Sequence, residues 1–143
     1  MNKRPSEIIK EKILRNGGRV IVHSITGKPY EIRHCSDGKS FLCDQLPIKP
    51  PYTYDVFDVI VDLLVRQGGR ADKGAGRNAK LGQPRCKETT VVGAIAKYYA
   101  GKREGESVYD PVFVMASVLE WADIAHNERG YLELTASYRM IRG

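Results

Sequence analysis

Seven basic side chains, Arg66, Arg70, Lys73, Arg77, Lys80, Arg85 and Lys87, lie in one stretch whose sole acid is Asp72. The surplus of that stretch equals the formal net charge of the whole 143-residue chain, +6. Everything outside it is balanced. The same residues include Gly68, Gly69, Gly74, Gly76 and Gly82. This combination suits contact with phosphates. Arginine and lysine displace counterions from a polyanion, and glycine lets backbone amides come close to oxygen atoms. A helix is predicted to start at Thr89 or Thr90, so its first-turn amides and positive dipole end adjoin the loop. The expected nucleic-acid contacts are therefore Arg70, Lys73, Arg77, Lys80, Arg85 and Lys87, with Thr89, Thr90 and Lys97 from the following helix. A solvated, mobile connection is the plain alternative for such a composition. Residues 74–82 do not form a Walker loop, because they lack the closing Gly-Lys-Ser/Thr, and Gly74-x-Gly76 is a poor dinucleotide fingerprint.

Other groups could do chemistry. Asp55, Asp58 and Asp62 share one helical face, and Glu120 and Asp123 another. Clustered carboxylates are what a magnesium-dependent nuclease requires, but a charged stripe opposite an apolar face is ordinarily the solvated side. His34, Cys35, Cys43 and Cys86 could supply zinc ligands, yet no C-x-x-C pair is present. His23, His34 and His126 have no nucleophile motif around them, and His126 reads as a cap at a helix end. Of Tyr98 and Tyr99, one must point inward, leaving at most one to stack on a base. No catalytic residue, metal site or cofactor is assigned.

The elements that position these groups are legible in part. Ser6 can cap a helix over residues 7–15. Three strands are predicted over 19–25, 30–35 and 40–46, with Asp37-Gly38 as a hairpin turn. Pro47, Pro50 and Pro51 mark residues 47–53 as a stiff connector. Three helices follow, over 54–67 with Thr53 as cap, from Thr89 or Thr90 to about Ala100, and over 110–126. Alternation over 131–141 predicts a final half-buried strand. The expected class is α+β: a helix and three-stranded antiparallel meander (1–46), the connector (47–53), and a three-helix-plus-strand unit (54–143). The second unit is winged-helix-like by analogy only, since nothing after Ile141 can form a second wing strand. Its last helix would show Ser117, Glu120, Asp123 and Asn127 to a groove, a poor surface for phosphates.

The length suffices for a core without disulfides or metals. No apolar run is long enough for a membrane span. The first 11 residues lack the apolar core of a secretory signal, and three cysteines at long spacings fit a reducing cytoplasm. The leading expectation is a small, non-catalytic cytoplasmic protein that binds DNA or RNA through phosphate contacts. The alternative is a protein-interaction or assembly module without nucleic acid, either a homodimer or one whose basic loop docks an acidic partner. It is motivated by the wide apolar girth of the helices over 54–67 and 110–126. A divalent-metal nuclease comes third.

Overall fold

The computed structural model describes residues 3–46 and 51–142. Helix α1 (Pro5–Arg15) begins two residues earlier than a cap at Ser6 would dictate, because Pro5 takes the first helical position, where a missing N–H costs nothing. Ser6 does not cap. Its amide and hydroxyl donate to Asp58 at 2.9 and 2.7 Å, fastening α1 to α2 (Asp55–Arg66). Arg4 adds ion pairs to Asp58 and Asp62. Part of the acidic stripe is thus a docking seam and not a solvated face.

Strands β1 (Arg19–His23), β2 (Pro29–His34) and β3 (Ser40–Leu42) form the expected antiparallel meander, with β1 and β3 shorter than predicted and β2 shifted by one residue. The Asp37 carboxylate accepts from the amides of Lys39 and Ser40, which closes the turn. A fourth strand, β4 (Tyr52–Thr53), pairs with β3 and takes over the end of the expected connector. Connector residues 47–50 lie outside the described residues. Thr53 therefore pairs in a sheet and does not cap α2, although its hydroxyl reaches Asp55.

The second unit opens with α2, then β5 (Arg70–Asp72), α3 (Val91–Ala94) running into a π-helical turn (Ile95–Tyr99), and α4 (Val112–Trp121). Helix α4 stops at Trp121, not at His126, because Asp123 enters the left-handed region and Ile124 N–H returns to Leu119 O at 2.9 Å. Residues 125–128 then form a strand, β6 (Ala125–Glu128), which places His126 on a sheet and not at a helix end. Strand β7 (Tyr131–Leu134) ends early. Thr135 accepts the Tyr138 amide at 3.0 Å and starts α5 (Ala136–Arg142).

The small sheet has the order β5-β7-β6, all antiparallel, and is separate from the meander, so the last strand does not rejoin it. Helix, strand, two helices and a hairpin is the element order of a winged-helix unit, and the second wing strand is β6, before β7 and not after it. This remains a likeness of topology. The class is α+β.

One apolar core runs through both parts. It joins Ile9 and Ile13 of α1, Val22, Ile32 and Phe41 of the meander, Phe57, Ile60 and Leu64 of α2, Met115 and Val118 of α4, and Leu132 of β7. Helix α4 packs against both β1 and β6. The apolar girth of α2 and α4 is therefore covered largely within the chain. Ser117, expected on an outer stripe, is buried, with its hydroxyl donating to Phe113 O at 2.9 Å.

Candidate nucleic-acid interface

The basic stretch is folded. Strand β5 delivers the chain to Lys73, whose amide donates to Gly130 O at 2.8 Å and whose carbonyl accepts from Val92 N at 3.1 Å. Gly74 has φ +73°, and a Cβ there would sit 2.6 Å from the Arg85 carbonyl oxygen and 2.8 Å from the Thr90 hydroxyl. Only glycine permits this approach. Ala75 N–H then donates to Arg85 O at 2.7 Å, closing residues 75–85 into a loop. The Asp110 carboxylate holds the loop from the far side, accepting Gly76 N–H at 3.1 Å. Ala79 and Leu81 are buried and exchange backbone bonds with residues 105–108. Ala79, Leu81 and Cys86 thus anchor the loop from beneath while the polar residues between them point out.

This framework sorts the expected contacts. Arg77, Lys80, Arg85 and Lys87 are exposed. Among the described residues none of the four makes an ion pair. Arg77 and Arg85 line one cavity of about 370 Å³ together with Asn78 and Gln83. Lys87 and Lys97 line another of about 460 Å³, joined by Lys102 and Arg103, with Glu88 and Glu104 on the same wall.

The remaining expected contacts are used otherwise. Lys73 is half-buried and donates to Asn127 Oδ1 at 2.5 Å, and burial pushes its ammonium down from the ordinary lysine value. Asn127, expected on a helix stripe, is buried on β6 and accepts that bond. Arg70 lies over the Tyr131 ring with its guanidinium carbon 3.6 Å from the centroid. Thr90 is 8% exposed, and its hydroxyl donates to Lys87 O at 2.6 Å and accepts from Gly93 N at 3.2 Å, so it is the cap of α3 and is turned inward. Thr89 is exposed, with its carbonyl accepting from Gln67. Lys97 is paired with Glu88. That bond holds the Glu88 carboxyl below its ordinary range and raises Lys97.

The tyrosine pair divides as its adjacency demands. The Tyr99 hydroxyl accepts from Thr53 N at 2.9 Å and its ring stacks on Tyr52. Tyr98 is 52% exposed, with the Arg66 guanidinium 5.4 Å and the Lys97 ammonium 5.3 Å from its ring centre. Glu88 and Tyr109 meet Lys97 and Lys102 a few turns of chain away and Asp110 reaches back to Gly76, contacts that no sequence motif marks.

The carboxylates do not assemble. Among the described residues no group of three or more His, Cys, Asp or Glu side chains is placed to hold a metal ion. Glu120 accepts the Asn127 amide at 3.1 Å. His34 Nδ1 is hydrogen-bonded to the Tyr54 hydroxyl at 2.8 Å. Among the described residues no helix is long and apolar enough to cross a membrane. No family model matches the chain, and neither a curated protein nor a solved structure does.

Proposed function

We propose that the chain is a non-catalytic nucleic-acid-binding protein whose phosphate contacts come from residues 66–87 and the start of α3. The observation that carries this reading is a +6 surplus confined to one ordered segment, with Arg77, Lys80, Arg85 and Lys87 outward and, among the described residues, without acidic partners. An ordered cationic loop loses less entropy on binding than a mobile one, and each contacted phosphate releases counterions. Helix α4, the counterpart of a groove-reading helix, is buried on both sides, so contact is with the backbone and sequence readout is weak. Three free cysteines suit a reducing cytoplasm.

The test is affinity across a salt series. Four phosphate contacts give a slope of log K against log salt of about −3 on a single strand or −4 on a duplex. Replacing Arg77, Lys80, Arg85 and Lys87 together by glutamine flattens that slope and weakens binding at every salt concentration. Absence of binding at low salt, or equal binding by the fourfold variant, refutes the proposal.

A further inference from the structure

We infer that the nucleic acid is bound single-stranded, with unpaired bases stacking on Tyr98 and Tyr109 beside the Lys87–Lys97–Lys102–Arg103 cavity. This rests on the nucleic-acid reading and specifies its substrate. Two observations carry it. The first is that α4 has no open face to enter a groove, as seven of its ten residues are buried. The second is a set of half-exposed aromatic rings, each next to a cation. Tyr98 and Tyr109 are each 52% exposed. The Arg66 guanidinium carbon and the Lys97 ammonium are 5.4 and 5.3 Å from the Tyr98 ring centre, and the Lys102 ammonium is 5.9 Å from that of Tyr109.

Neither ring lines the cavity itself, and each adjoins it through one lining residue, Tyr109 standing in a neighbouring pocket beside Tyr52 and Tyr99. The Tyr98 hydroxyl donates to Glu88, which lines the cavity of about 460 Å³, and Lys102 lines that cavity and reaches Tyr109. A ring in such a place can hold a base only where the base presents its π-face, which paired and stacked bases in a duplex do not. The four cations lie where the intervening phosphates would run. Single-stranded binders combine these parts, aromatic platforms along a cationic groove.

Glu88 opposes the ligand. Its carboxylate binds the Lys97 ammonium and the Tyr98 hydroxyl, so an arriving phosphate must displace it from Lys97. Neutralising it should therefore strengthen binding, a gain that a damaged fold would not produce.

The experiment is a fluorescence-anisotropy titration at low salt. It compares labelled single-stranded DNA of about 12 nucleotides, RNA of the same sequence, and the corresponding DNA duplex. The expected result is that at least one single strand binds more tightly than the duplex, and the ratio of the two single strands reports discrimination at the sugar. Tyr98→Ala and Tyr109→Ala should each weaken single-strand binding roughly fivefold or more and leave the duplex unchanged. Tyr98→Phe should retain most of the affinity, and Glu88→Gln should raise it roughly twofold to fivefold. A duplex bound as tightly as both single strands, or alanine variants without effect on single strands, overturns the inference and leaves phosphate binding intact. If no nucleic acid binds at all, the underlying reading fails with it.

Discussion

Gly93→Ala separates two lines of reasoning with opposite signs. Gly93 sits inside α3, and by helix propensity alone alanine there would stabilise the chain by about 1 kcal/mol. The structure reverses this. A Cβ on Gly93 would overlap the carbonyl carbon and oxygen of Lys87 and sit 3.0 Å from the Glu88 nitrogen. The obstacle is backbone, so it must retreat by roughly an ångström to reach ordinary contact. The Lys87 carbonyl accepts from Thr90 N at 2.9 Å and from the Thr90 hydroxyl at 2.6 Å. Losing both costs about 2 kcal/mol, and disturbing the Thr90 cap on Gly93 N–H adds about 1 kcal/mol. Set against the propensity gain, the net loss is about 1–3 kcal/mol, or a fall in Tm of roughly 3–10 °C for a chain of this size. Urea and thermal melts of the two proteins measure it. A variant as stable as the parent, or more so, would show that residues 87–88 do not lie against α3, and the placement of Lys87 in the cavity would fall with that contact.

Lys73 makes the chain more stable as pH rises. Its ammonium is pushed down by burial, so just below the ordinary lysine value the unfolded chain holds a proton that the folded chain has released. Stability increases with pH wherever the unfolded state binds more protons. The urea midpoint of the parent should therefore climb relative to that of Lys73→Met as pH approaches the ordinary lysine value from below, and parallel curves would count against a half-buried ammonium. The thiols offer a simpler check. Cys43 and Cys86 are buried and burial pushes both thiols up, whereas Cys35 is partly exposed. A thiol reagent should find one fast cysteine in the native protein and three after unfolding, and two fast native thiols would contradict this core.

Local patterns were readable where neighbours in sequence decide them. The Asp37-Gly38 turn is closed by Asp37 itself, and the meander follows from alternation that Val20, Val22, Tyr30 and Ile32 obey. The strand expected over 131–141 is present over Tyr131–Leu134 but ends there, because the period-two pattern continues past the strand into α5. Tyr138 is buried on α5, while Met140, two residues on, is 82% exposed. A cue was present in Thr135, a good helix cap. Strand β6 had no such cue. Of its four residues only Ala125 and Asn127 are buried, and an asparagine is tolerated there because Lys73 donates to it.

The same division holds for the site. Composition and spacing alone established that the chain is electrically neutral outside one cationic, glycine-rich segment, because charge is a property of residue type and needs no partner. Which of the basic side chains in and beside that segment acquire partners was decided by tertiary structure. Lys73 is claimed by Asn127, Arg70 by Tyr131 and Lys97 by Glu88, while Ala79, Leu81 and Cys86 anchor the loop and turn Arg77, Lys80 and Arg85 outward. Burial and pairing depend on groups that folding brings together, most of them far apart along the chain, and no local pattern encodes that meeting.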